Sequence, residues 1–259
     1  MSNVDLKNIS ESLIQPFFEA GKEAKQIVKR GVKITIKSDN SPVTDGDIAV
    51  NKILCKNIRN LTPNIPIISE ETVNLEIKNK NKTFWLVDPI DGTKEYINKK
   101  GEYTLNAALI IDAQPALGFI YAPEKNRMFF SYGKGYSFEL SNGVRKKLNC
   151  EKKTEKGKIY AVTYSSNPSK DILDTLKKNN VLSFTKMSSS YKFCVIAAGE
   201  ADIYTCEPRA YEWDIAAGHA IIKHSGGIIT TSSGKEIFYG KERYKNPSLL
   251  VKRSINLEI

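Results

Sequence analysis

The stretch "FWLVDPIDGTKEY" (residues 84–96) constrains this chain more than any other, because an apolar run ends in two aspartates three residues apart. A short apolar run bounded by turn residues reads as a buried strand. Two uncompensated carboxylates at its end would repel, and one would take up a proton. A cation between them removes that cost. Mg2+ suits such donors, since it takes oxygen ligands and sits on one or two carboxylates plus substrate phosphate. Pro89 is expected to stop the strand, so that Asp88 and Asp91 turn toward one point with the Ile90 carbonyl as a third oxygen. Gly92 lets the backbone approach a ligand closely, and Thr93 begins a helix whose first amides favour a phosphate. One loop thus offers metal ligands and a phosphate cradle together.

Around this loop the pattern predicts helices at 13–31 and 47–61, a strand at 32–37 feeding a turn-rich loop, and a short strand in "IPIISEE" (65–71). A β-meander of three strands is expected over 104–138, turning at Gln114-Pro115 and Ala122-Pro123. The basic stretch "RKKLNCEKKTEKGK" (145–158) is interleaved with glutamates and has no aromatic residue, so it reads as a solvated loop. Beyond it come a strand at 158–166, a helix at 168–180, and a helix running into a strand over 190–205. A helix at 213–227 closed by Gly226-Gly227, a strand at 228–234, and a last strand and tail over 241–259 complete the chain. The fold class is α/β. Residues 1–150 form an α+β domain carrying the metal-binding motifs, and residues 151–259 an α/β domain that completes the site and binds substrate.

The net charge of +10, from Lys+Arg 39 against Asp+Glu 29, favours anionic partners without choosing among nucleic acid, acidic membrane and phosphorylated small molecules. A non-catalytic nucleic-acid binder would need aromatic platforms among its lysines, and the acidic clusters argue against one. Cys55, Cys150, Cys194 and Cys206 are far apart with no metal spacing, which points to free thiols in a reducing compartment. No secretory signal opens the chain, and no run approaches the roughly 20 apolar residues of a membrane span. A cytoplasmic protein is expected, with peripheral contact at the inner membrane face left open.

Two further acidic positions follow apolar segments: Glu70-Glu71 after "IPIIS", and Asp214 at the start of a helix. Singly, each has a plain structural reading: a solvated loop for the glutamates, and a charge favourable to the helix dipole for Asp214. Together they match a pattern. "WLVDPIDGTKEY" resembles the signature of the inositol monophosphatase superfamily, Mg2+-dependent and lithium-sensitive phosphatases that share a layered αβαβα fold with fructose-1,6-bisphosphatase. "EWDIAAGHAIIKHSGGII" (212–229) resembles the second signature and "ISEE" (68–71) the upstream glutamate motif, in family order. The Lys94-Glu95 pair and "SSSYKFCVIAAGEADIY" (188–204) are similar to the CysQ-type 3'(2'),5'-bisphosphate nucleotidases of that superfamily. Those enzymes remove the 3'-phosphate from adenosine 3',5'-bisphosphate and leave AMP.

The resemblance implies that Glu70, Asp88 and the Ile90 carbonyl hold one Mg2+, that Asp88, Asp91 and Asp214 hold a second, and that a weaker third sits near Glu70. It implies that Thr93 orients the attacking water and pairs with Asp47 in a proton relay, with Glu70 also catalytic. Gly92 and Thr93 would hold the scissile phosphate beside Asp91 and Asp214. Lys192 would take the second phosphate; the alternative is a lysine that snorkels from a buried helix. Lys94 and Glu95 are expected to shape the mouth as an ion pair, and His219 and His224 to serve packing. Two segments depart from the pattern. "CEPRAYEWD" (206–214) lacks a glycine ahead of its proline and a small hydroxyl residue behind it, and "TYSSNP" (163–168) lacks a basic Ser-Arg-Ser-His character. Both fall on the side that holds the nucleoside, so an inositol or sugar phosphate stays as the alternative substrate. Members often dimerise, which leaves a homodimer open.

Overall fold

The computed structural model describes residues 5–37, 41–77, 79–151, 158–255 and 257. Helix α1 (Leu6–Arg30) begins earlier than expected because the Asp5 carboxylate caps the Asn8 amide at 3.0 Å. Strands β1 (Ile34–Ile36) and β2 (Pro42–Thr44) pair antiparallel and lead into α2 (Asp45–Leu61). Strand β3 (Ile67–Ser69) runs parallel to β4 (Phe84–Asp91), which ends in the short helix α3 (Thr93–Ile97). An antiparallel meander follows in β5 (Thr104–Ile111), β6 (Gln114–Ala122), β7 (Arg127–Ser131), β8 (Ser137–Ser141) and β9 (Val144–Lys147). These seven strands form one sheet in the order β3 to β9.

The second half supplies β10 (Ile159–Thr163), α4 (Lys170–Lys178), β11 (Val181–Lys186), α5 (Tyr191–Ala197), β12 (Ile203–Cys206) and α6 (Glu212–His224). With β13 (Ile228–Thr231) and β14 (Leu249–Lys252) it builds a five-stranded sheet in the order β11-β10-β12-β14-β13. Side-chain alternation sorts the layers. Along β4, Trp85 and Val87 face α1 and α2, joining Leu13, Phe17 and Leu54 in one core. Phe84 and Leu86 face the other way, toward Trp213 and Ile221 of α6 and the second sheet's Leu249 and Val251. Both faces of β4 are therefore covered, which is why its sequence reads as an unbroken apolar run. Helix α4 packs Ile172 and Leu176 on the outer face of the second sheet. The order is helices, sheet, helices, sheet, helix: the layered αβαβα sandwich.

Several local expectations change. Pro89 does not stop β4; the strand continues to Asp91 through a bulge, with Asp88 opposite Asn106 and Asp91 opposite Thr104. A bulge is where a sheet tolerates a residue with no N–H to donate. The turn between β5 and β6 lies at Asp112-Ala113, both at positive φ (50° and 60°), while Gln114 and Pro115 already pair with Ile111 and Ile110. The meander has five strands (β5 to β9) instead of three, because β8 begins only at Ser137, the end of the span read as three strands, and β9 occupies part of the stretch read as a loop. All four β9 residues are exposed, and β11 is nearly so, so neither carries the apolar alternation that marks a strand. The remainder of that basic stretch, 152–157, lies outside the described residues.

Gly118 on β6 lets α6 approach the sheet: a Cβ there would meet the Ala217 carbonyl oxygen at 2.5 Å. Gly118→Ala is expected to destabilise by about 1–3 kcal/mol through overpacking, seen as a lowered melting temperature in calorimetry. An unchanged melting temperature would mean that α6 shifts freely. Arg127 pins α5 to the meander, donating to Glu139, Tyr191 and Glu200 at 2.5 Å each. All four cysteines are free thiols. Among the described residues no helix is long and apolar enough to cross a membrane.

Candidate active site

Three separate elements deliver carboxylates to one point. Ser69 ends β3 opposite Val87, its hydroxyl tied to Asn51 of α2 at 2.7 Å, and the Glu70 amide donates to the Val87 carbonyl at 3.1 Å. Glu70 is thereby carried alongside Asp88. Asp214 sits at the third position of α6 and accepts the Tyr211 amide through Oδ2 at 2.7 Å. Asp214 thus stands in the first turn, where its charge favours the helix dipole as expected and one oxygen also bonds the start of the helix, while its second oxygen is left for other work. Carboxylate oxygens of Glu70, Asp88 and Asp214 lie within 4.8 Å of one another.

Asp88 is buried and its Oδ1 has no hydrogen-bond partner. Burial, reinforced by the charges of Glu70, Asp91 and Asp214, pushes its carboxyl well above the usual carboxylate range. Asp214 is pushed up in the same way, by burial and then by Asp91 and Glu70. Glu70 is raised to about 7, chiefly by burial, with Lys37 opposing. A cation beside such a cluster favours its charged form, and an orphaned buried oxygen among converging carboxylates fits a hard divalent ion. Asp91 stands outside the tight trio. Its Oδ2 accepts the Ser190 hydroxyl at 2.5 Å, and its charge bears on all three neighbours.

At Gly92 the chain turns with φ 93°, where a Cβ would meet the Glu102 carbonyl oxygen at 3.0 Å; glycine is required there. The Thr93 hydroxyl donates to the Ile90 carbonyl at 3.2 Å. Asp47 is placed differently from expectation. It is the third residue of α2, and its Oδ2 accepts the Thr44 amide at 2.7 Å and the Thr44 hydroxyl at 2.5 Å. Among the described residues no hydrogen bond joins Asp47 to Thr93. The Thr-x-x-Asp spacing is a capping box, a signal the sequence did carry. Burial lifts Asp47 to about 6.

A cleft of about 690 Å³ opens over the cluster, with Glu70, Asp91 and Asp214 at its acidic end and Lys192 and Arg209 in its wall. Lys192 is only 7% exposed, and its ammonium donates to the Ser189 carbonyl beside the Tyr204 ring, so it does not snorkel to the surface. Burial lowers its pKa, against the attraction of Asp91. The two divergent segments meet each other in this wall. The Arg209 guanidinium lies over the Tyr164 ring at 4.2 Å, and the Tyr164 hydroxyl donates to Glu207 at 3.1 Å.

The expected Lys94–Glu95 ion pair does not form among the described residues; Glu95 accepts the Ser188 hydroxyl at 3.1 Å instead. His219 and His224 are buried against Tyr239 and Ser131, at 2.9 and 3.0 Å, as packing residues. Residue-type reasoning missed Lys37, whose ammonium lies 2.8 Å from Glu71 and 3.9 Å from Glu70. It also missed Asn106, although a lone amide inside the apolar run "TLNAALII" was a visible anomaly.

The profile of the inositol monophosphatase family matches residues 5–256. The chain is 39% identical over 209 residues to a 3'(2'),5'-bisphosphate nucleotidase CysQ of Buchnera aphidicola subsp. Acyrthosiphon pisum, covering 80% of this chain and 78% of that one. It is 36% identical over 220 residues to the Escherichia coli K12 protein of the same name, covering 84% and 88%. The crystal structure of CysQ from Bacteroides thetaiotaomicron, a bacterial member of the inositol monophosphatase family, superposes with a TM-score of 0.77 at 30% identity, covering 96% and 98%. In sequence and in architecture, the chain belongs to the inositol monophosphatase family.

Proposed function

We propose that the chain is a Mg2+-dependent phosphomonoesterase that hydrolyses the 3'-phosphate of adenosine 3',5'-bisphosphate to AMP and phosphate. The observation that carries this reading is the convergence of Glu70, Asp88 and Asp214 at one end of a cleft whose wall holds Lys192 and Arg209. The names of the CysQ relatives support the same substrate. Glu70, Asp88 and Asp214, with Asp91 and the Ile90 carbonyl beside them, would hold two or three Mg2+ ions. When bound, Mg2+ neutralises the clustered carboxylates and polarises the phosphoryl group.

The chain's own residues do the rest. Gly92 and Thr93 line the cleft, and their amides receive the scissile phosphate. The Thr93 hydroxyl orients the water that displaces the nucleoside oxygen. Asp47 steadies the start of α2 through Thr44, and its proton relay to Thr93 requires that the Thr44 bonds loosen when substrate is bound. Lys192 meets the second phosphate through a charge-assisted hydrogen bond, worth about 1.5–3 kcal/mol. Cytoplasmic conditions suit the four free thiols.

Lys192→Met is accordingly expected to raise KM for adenosine 3',5'-bisphosphate about 10–100-fold, while changing turnover of adenosine 3'-monophosphate little. Equal losses on both would remove Lys192 from phosphate binding. The divergent Tyr164–Arg209 wall keeps a second reading with the same metal site, in which the substrate is an inositol or sugar phosphate. Phosphate release from adenosine 3',5'-bisphosphate, inositol 1-phosphate and fructose 1,6-bisphosphate, each with and without Li+, tests the choice. The nucleotide should be turned over fastest and be inhibited by Li+; equal or faster turnover of the inositol ester would reverse the assignment.

A further inference from the structure

None of the steps above uses the buried pair Asn106 and Ser190. Asn106 stands on β5 directly across from Asp88, so the sheet register places both side chains on one face. Its Nδ2 donates to the Ser190 hydroxyl oxygen at 2.8 Å, and that hydroxyl is 2.5 Å from Asp91 Oδ2 and 2.9 Å from the Asp214 carbonyl oxygen. The direction of this chain is fixed by inventory. An amide nitrogen only donates, so the single serine proton is free to go to an acceptor, and a carboxylate oxygen outcompetes a carbonyl. The result is a relay of orientation running from Asn106 to Ser190 to Asp91.

The surroundings hold the arrangement in place. Ser189, immediately before, has φ 55°, an uncommon left-handed conformation for a residue with a side chain. The Asn106 side-chain Oδ1 is buried with no partner, so the amide is kept for its donor and not for a complete set of bonds. Ser190 stands at the N-cap position of α5 but makes no side-chain capping bond, which leaves its hydroxyl for Asp91, and Arg127 anchors the next residue, Tyr191, at 2.5 Å. The serine therefore joins the second half of the chain to the last carboxylate of β4.

We propose that Ser190, itself held by Asn106, is a positioning residue that fixes the Asp91 carboxylate in the orientation in which it completes the cation site. This rests on the metal reading above. Asp91 lies at a strand end, outside the tight trio, and repulsion from Glu70, Asp88 and Asp214 would turn an untethered carboxylate toward solvent. Outer bonds of this kind are worth about 10–100-fold in metal affinity.

The test is Mn2+ titration of the full-length protein by isothermal calorimetry, comparing wild type with Ser190→Ala, Ser190→Thr, Asn106→Leu and the Ser190→Ala/Asn106→Leu double variant. Ser190→Ala and Asn106→Leu are each expected to weaken Mn2+ binding about 10–100-fold. The double variant should be no weaker than Ser190→Ala alone, since the two act in series, and Ser190→Thr should restore the affinity because it restores the hydroxyl. The two single sites back each other up should one variant fail to fold, with melting temperatures in EDTA as the control. Wild-type affinity in both Ser190→Ala and Asn106→Leu, or a threonine variant as weak as the alanine one, would overturn the proposal while leaving the metal site standing. Absence of Mn2+ binding by the wild type would overturn both.

Discussion

Asp91→Asn is expected to lower phosphate release by at least about 10²–10³-fold at saturating Mg2+, with the fold unchanged. Asparagine has nearly the shape of aspartate, and the residue is only half-buried at the end of β4, so little packing is at stake. Its remaining carbonyl oxygen can still accept the Ser190 proton. What disappears is one negative charge beside Glu70, Asp88 and Asp214, each of which responds to Asp91 electrostatically. The measurement is kcat across a Mg2+ series, with circular dichroism to confirm folding. A variant that retains more than about a tenth of wild-type turnover would contradict the role given to this carboxylate.

Asp88→Asn should separate stability from activity. The wild-type carboxyl is buried among three others, with an unpartnered Oδ1. Its folded-state pKa is raised, so its stabilising contribution is present below the ordinary carboxyl pKa and is lost as pH rises. Glu70 follows the same sign, losing its contribution as pH passes from about 4.5 through about 7. Metal-free wild-type protein is therefore expected to melt lower at pH 8 than at pH 6. At pH 8 in EDTA, Asp88→Asn should melt higher than wild type, by about 2–4 °C for each kcal/mol of repulsion relieved. With Mg2+ added, the order should reverse, because the cation stabilises only the form that binds it. Turnover should be abolished throughout. A variant that melts below wild type in EDTA at pH 8 would mean that Asp88 is not strained by its neighbours.

The layered order came with the resemblance carried by "WLVDPIDGTKEY"; what the residues themselves made legible was the α/β class and the buried strand, because a strand covered on both faces reads as an apolar run. The acidic positions were visible because Glu70, Asp88 and Asp214 each follow or begin an element with a clear pattern, but each alone read as structural and only the resemblance joined them into one site. Strands β9 and β11 were not, since exposed edge strands carry no alternation to read. The bulge at Pro89 was hidden for a related reason: proline marks an interruption of the ladder, and only the partner strand decides whether that interruption ends it. Ser190 is separated from Asp91 by 99 residues, and nothing local in "SSSYKFC" says which serine turns inward. Asp47 shows the opposite case. A family role was carried to it while its own short-range capping pattern, plainly written in "TDGD", went unread.

Anomalous diffraction from crystals grown with Mn2+ tests the central claim most directly. A peak at bonding distance from the carboxylates of Glu70, Asp88 and Asp214, with Asp91 at its edge, is the expected result. No peak at millimolar Mn2+, or a peak elsewhere with Glu70 or Asp214 turned out of the cluster, would contradict it.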